Sequence, residues 1–197
     1  FTAGSEIPEE DKKEVNMMLD KVTEYVFEIL QNSNFAQEVH ESFLDIALGT
    51  GILLVEEGDA INPIRFKAIP LPQAVLTSGH DDKVDHVYRR RMIRMKELLV
   101  AYPKGDLSEK MLMALEKSPD KECEIIEVCY KNHYNNKEEE HRFCAIAKEF
   151  EHKIYEETYK GLGSNPYVIY RWSKCAGETY GRGPLQLALP AIKTANL

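Results

Sequence analysis

Between residues 8 and 31, Val15, Met18, Leu19, Val22, Tyr25, Val26, Ile29 and Leu30 recur at intervals of three and four. That spacing gathers them on one face of an amphipathic helix. Pro8 suits a first helical position, and Glu9, Glu10 and Asp11 favour the positive end of the helix. A second helix is predicted after Asn34, which suits a cap, with Phe35, Val39, Phe43 and Ala47 turned inward. Gly49 and Gly51 stop it.

The pattern then changes to short apolar runs. Residues 52–55, 64–69 and 84–92 read as strands, separated by Pro70, Pro72 and the Ser78–Gly79 pair. Two short helices are predicted at 95–102 and 107–117. Asp106 and Glu109 have the spacing of a capping box for the second, and Pro119 lies beyond its end. Three more strands follow at 123–131, 143–150 and 153–159, with a polar hairpin tip at 135–142. After the turn at 161–165 comes a last strand, 166–172, then a glycine-rich corner and a helix at 185–196. The fold class is α+β: N-terminal amphipathic helices, then mostly antiparallel strands with short helices, ending at the start of a longer helix. Three regions are expected: a helical part, 1–50; a mainly β part, 51–172; and a corner with the start of a helix, 173–197.

Composition narrows the function classes. The chain has 197 residues, 25 basic against 33 acidic, for a net charge of −8. A free nucleic-acid-binding domain would carry a basic excess. An acidic surface that lets DNA slide past without gripping it is compatible with the same balance. No apolar run approaches bilayer length, so no membrane span is predicted, and the opening residues do not read as a signal peptide. The missing initial Met and the helix-like last residues suggest a piece of a longer protein. Cys123, Cys129, Cys144 and Cys175 read as free thiols rather than a disulfide framework.

Chemical motifs are sparse. Gly49-Thr50-Gly51 closes a helix and opens a strand, the reverse of a phosphate-binding loop, and reads as a helix stop. Cys123, Cys129 and His133 share strand parity, but six residues of strand span roughly 20 Å, too far for one zinc ion. Arg89, Arg90, Arg91 and Arg94 form the only dense basic cluster. On a strand the first three alternate faces and cannot converge on one ligand. Ion pairs within the chain or to a neighbouring subunit are the first reading; a phosphate contact stays open. No residue pattern supports a catalytic site, a metal or a cofactor.

The last stretch carries the most specific signal. Pro166-Tyr167-Val168-Ile169-Tyr170-Arg171-Trp172 leads through Gly177-Glu178-Thr179-Tyr180-Gly181-Arg182-Gly183-Pro184 to Ala188-Leu189-Pro190-Ala191-Ile192-Lys193 and Asn196. This resembles the signature of the podovirus-type portal family, the head-to-tail connectors of tailed bacteriophages. Upstream, the helix and strand around Gly-Thr-Gly, the run from Arg65 to Pro70 and the strand leading to Arg89 are similar to earlier segments of that family. Ala191 stands where an Asp is common, and Cys175 where an apolar residue is frequent.

The corner Arg171, Trp172, Gly177, Glu178, Tyr180, Gly181, Arg182, Gly183 and Pro184 also makes architectural sense. Its glycines permit tight turns, and Pro184 suits a first helical turn. Trp172 is large enough to anchor the strand by burial. Arg182 can bridge carboxylates. The corner reads as a rigid turn that aims the next helix, as a subunit contact, or as both.

The resemblance implies a structural, non-enzymatic protein of the virion, assembled in the cytoplasm of a bacterial host or encoded by a prophage. It implies a dodecameric ring of identical subunits that conducts DNA during packaging and ejection. It further implies docking to capsid and scaffold, the terminase motor and tail adaptor proteins. A tail or adaptor protein with a wing-like domain and no channel is the alternative, and a metal-dependent nuclease near Arg89 a more distant one.

Overall fold

In the computed structural model, residues 1–2, 4–134 and 138–195 are described. Helices α1 (Glu9–Asn32) and α2 (Phe35–Ile46) precede β1 (Thr50–Glu57), β2 (Ile64–Ala68), β3 (Ala74–Ser78) and β4 (Val84–Arg94). Short helices α3 (Leu98–Ala101) and α4 (Glu109–Lys117) follow. Then come β5 (Glu122–Lys131), β6 (Glu140–Ala147), β7 (His152–Lys160), β8 (Tyr167–Arg171) and α5 (Pro184–Ala195). The strands form two antiparallel sheets, one in the order β2-β1-β8 and one in the order β3-β4-β5-β6-β7. The class is α+β, with the N-terminal helices ahead of the strands.

The sheets share one core. Ile52, Leu54 and Tyr167 of the smaller sheet join Leu76, Val87, Ile125, Cys129 and Phe143 of the larger. Leu98, Tyr102, Leu107 and Met111 close the same core beside Ile93, Cys123 and Ile154. Each fully buried Leu, Ile or Met contributes about 1.5–3 kcal/mol by leaving water. On the other face of the smaller sheet lies α2: Phe35 meets Phe66 edge-on at 5.0 Å, and Phe43 meets Tyr170 at 6.4 Å. Strand β1 is thus covered on both faces, and its residues 50–54 are all buried. That is why its sequence is a continuous apolar run rather than an alternating one.

Helix α1 has no buried residue. Its apolar stripe is present, with Met18, Val22 and Tyr25 along it, but these side chains are exposed. The N-terminal amine donates to Thr23 Oγ1, folding the first residues back along the helix.

Several local expectations are corrected. Strand β3 occupies a stretch expected to be loop; it is short, follows a 3₁₀ turn at Leu71–Gln73, and gains its structure from pairing with β4. Asn34 makes no capping bond to α2; its side chain instead ties Phe66 through both backbone groups, at 2.8 and 2.9 Å. Phe43, expected inward, is 53% exposed, and the buried position of α2 is Ser42. Asp106 and Glu109 form no capping box: the Asp106 N–H donates to the Ile154 carbonyl, and α4 starts after Ser108. Glu140, His141 and Arg142, expected at a hairpin tip, lie in β6. That strand ends at Ala147 in a 3₁₀ turn, Lys148–Phe150, with Glu151 left-handed at φ 48°. Residues 135–137 of the expected tip and Asn196 of the last helix lie outside the described residues.

Candidate functional site

The corner after β8 meets the junction of α2 with β1 and the edge strand of the larger sheet. Helix α2 stops in a turn in which the Gly49 N–H donates to the Ile46 carbonyl, with Gly49 at φ 129°. Strand β8 pairs with β1 as far as Thr50↔Arg171, and the Trp172 N–H continues the ladder to the Gly49 carbonyl at 3.0 Å. The loop then folds back: the Arg182 N–H donates to the Ser173 carbonyl at 2.8 Å, and the Gly181 N–H to Thr50 Oγ1 at 2.8 Å. Thr50 is 1% exposed, so this bond is shielded from water.

Two backbones pass here without room for side chains. A Cβ on Gly181 would lie 2.1 Å from the Gly49 carbonyl oxygen, and one on Gly49 would lie 2.1 Å from the Gly181 oxygen. A Cβ on Gly183 would lie 2.2 Å from the Ala47 oxygen. The Leu185 N–H then donates to Ala47 at 3.2 Å, so the first turn of α5 is tied to the end of α2. Behind β1, the Tyr170 ring fills the space that a side chain on Gly51 would need, and its hydroxyl bonds Ser42 on α2.

The same corner holds the edge of the larger sheet. The Leu76 N–H donates to the Tyr180 hydroxyl at 2.8 Å, Ser78 donates to Thr179 Oγ1 at 3.0 Å, and Lys174 reaches the Asp82 carbonyl at 2.9 Å. Arg182 forms a two-pronged pair with Glu178, at 3.1 and 2.6 Å, which holds that carboxyl below its usual range. The Nε and one terminal nitrogen of Arg171 are buried without a hydrogen-bond partner among the described residues. Trp172 corrects the expectation of a buried anchor: it is 59% exposed. Backbone contacts and Tyr170 hold the strand end instead. Beyond the corner, α5 exposes Leu185, Leu187, Leu189 and Ile192, and contains Pro190.

The arginine cluster lies on β4, away from this corner. Arg89 and Arg91 face inward and share Glu127, at 3.3 and 2.7 Å; Arg90 and Arg94 face outward, toward Glu124 and Glu97. Arg89 and Glu127 are both buried, and Tyr102 donates a further 2.7 Å bond to Glu127. Burial, then the Glu127 charge, pushes the Tyr102 phenol upward, while burial, then Arg91 and Arg89, pulls the Lys67 amine downward. Burial likewise pushes the Cys129 thiol up to about 12, the behaviour of a packed and unreactive cysteine.

Glycines 177, 181 and 183 were legible as turn-formers, whereas Gly49, Thr50 and Ser42 were not legible as their partners. The Gly-Thr-Gly motif signalled a helix stop and carried no mark of what would press against it. Among the described residues no group of three or more His, Cys, Asp or Glu is placed to hold a metal ion, and no helix is long and apolar enough to cross a membrane. A family model described as bacteriophage head to tail connecting protein matches residues 1–197. No curated protein matches the chain.

Proposed function

Because the chain belongs to the bacteriophage head to tail connecting protein family, a family of structural phage proteins, we propose that it is the wing of a portal subunit. In this reading, identical subunits form a dodecameric ring at one capsid vertex, and DNA passes through it during packaging and ejection. Residues 1–50 form the helical part of the wing, 51–172 its β part, and 173–197 the corner that leads toward the channel. Capsid and scaffold, the terminase motor and tail adaptors are the partners, and assembly takes place in the bacterial cytoplasm. The net charge of −8 suits a wall that repels phosphates rather than holding them.

The observation that carries this reading is the corner itself. Carbonyl-to-glycine contacts at Gly49, Gly181 and Gly183, with the Tyr180 and Thr179 bonds to β3, fix the start of α5 relative to both sheets. A closed ring needs each subunit to present its elements at one angle, since a heterologous interface closes only if its rotation repeats identically. A rigid corner between a wing and an outgoing helix supplies that repeatability.

Electron microscopy of the full-length protein tests the proposal. Closed dodecameric rings with a central channel are the expected result. Particles without a channel, or rings that bind only to a finished portal, would assign the chain to the adaptor type instead.

A further inference from the structure

Strand β4 is paired unequally along its length. Its register with β5 runs to Arg94, opposite Glu122, whereas its register with β3 stops at Arg89, opposite Ala74. Among the described residues, 90–94 therefore have a neighbouring strand on one side only. An open edge of this kind presents backbone N–H and C=O groups without ladder partners. A cavity of about 420 Å³ opens at the same place, lined by Pro72, Gln73, Arg89, Arg90, Arg91 and Met92.

The side chains along this edge have a definite order. Outward stand Arg90, Met92 and Arg94, with arginine side chains 70% and 53% exposed and Met92 52% exposed between them. Inward stands Arg91, beside buried Arg89. Carboxylates are shared rather than matched: Glu127 serves both Arg89 and Arg91, and Glu124 serves Arg90 and Lys148. Arg89, Arg90, Arg91, Arg94, Lys67, Lys96 and Lys148 number seven, against six in Glu56, Glu97, Asp120, Glu122, Glu124 and Glu127. This is a local positive excess on a chain of net charge −8. The downward pull of Arg91 and Arg89 on Lys67, second to burial, reports the same field.

We propose that residues 90–94 accept an extended acidic segment of a partner protein by strand addition. Main-chain hydrogen bonds supply the pairing, and cross-strand side chains supply the selectivity. The matching segment has carboxylates opposite Arg90 and Arg94 and an apolar residue over Met92. The competing explanation is that the arginines only guard the edge against other strands, a common use of charge at sheet edges. The two differ in outcome, because a guarded edge rejects every strand. The proposal stands on the geometry of β4 and holds whether the protein is a portal or an adaptor.

The test is a nuclear magnetic resonance titration of the full ¹⁵N-labelled chain with the blocked heptapeptide Thr-Glu-Thr-Val-Thr-Glu-Thr. A second peptide with lysine in place of glutamate serves as control. The expected result is a saturable set of shifts centred on Gln73 and residues 90–94, with slowed amide exchange there. A dissociation constant on the order of 1 mM or tighter suits so short a strand. Arg90→Glu with Arg94→Glu should weaken glutamate-peptide binding at least about tenfold and admit the lysine peptide. Should the double variant unfold, Arg90→Ala, at a mostly exposed side chain, should still give a measurable loss. Absence of saturable shifts, equal binding of both peptides, or shifts centred elsewhere, such as Arg142 and Lys153, would overturn the proposal. Self-association of the chain that Arg90→Glu and Arg94→Glu abolish, without peptide binding, would give the edge to a second copy and overturn it equally.

Discussion

At Gly49 and Gly181 two stretches of backbone approach so closely that a single methyl group on either would enter the other's carbonyl oxygen. Gly181→Ala must displace one of these backbones and weaken the Gly181 bond to Thr50, and we expect a loss of at least about 2 kcal/mol in urea unfolding. Gly177 is a useful contrast. Its φ of 76° disfavours a side chain, but none of the described residues beyond its chain neighbours lies within 4 Å of its added Cβ, so Gly177→Ala should cost only about 1–2 kcal/mol. An equal loss for the two variants would mean that conformation, not close approach, governs the corner. Trp172 follows the opposite logic. The sole tryptophan in the sequence, it invites the expectation of a buried anchor worth about 3 kcal/mol or more. At 59% exposure, Trp172→Ala should cost less than about 1 kcal/mol, readable as a nearly unchanged thermal midpoint.

Among the elements, the helices differ sharply in what holds them. Helix α4 places Met111 fully in the core, and α2 lies against the smaller sheet with Ser42 buried. Helix α1 is the longest at 24 residues, yet buries no side chain. Packing of an apolar face supplies most helical stability in proteins, so α1 should open locally far more readily than the paired strands. In hydrogen exchange its amides should lose protection well before those of β4 and β5. Protection in α1 equal to that of the central strands would show that its stability is coupled to the global fold. Strand β1 is the counterpart: sandwiched between α2 and the larger sheet, it needs no polar face, and its run of buried residues carries the smaller sheet.

For the whole molecule, two antiparallel sheets, one core and a corner that clasps both make a single mechanical unit. Its stability should depend on pH through His141, which is 2% exposed and bonded through Nδ1 to Ser164 at 2.8 Å. Burial, outweighing the nearby Glu139 charge, lowers its pKa from 6.5. With the folded pKa below the unfolded one, the stability is fully present above the unfolded value. It is lost as pH falls through about 6.5 toward the folded pKa, because the unfolded chain takes up the proton first. Unfolding free energies measured from pH 7.5 to 5 should fall by at most about 1.4 kcal/mol per pH unit from this residue, and the slope should shrink in His141→Asn. The sequence by itself determined what is periodic or contiguous. That includes the helical stripe of residues 8–31, the alternating strands, the glycine-rich corner with its family resemblance, and the division of the arginines between two faces. Periodicity is a local property, and it reports which side of an element is apolar. Only the tertiary structure decided how far anything covers that side: the stripe of α1 is at most half-buried, β1 is covered twice, and Trp172 lies outside. Nor could spacing along the chain show that Gly49 receives Gly181, that Arg89 and Arg91 share Glu127, or that β3 ends before β4 does. Those are meetings between residues far apart in sequence, selected by backbone clearance and by the burial of charge, neither of which leaves a mark on either segment alone.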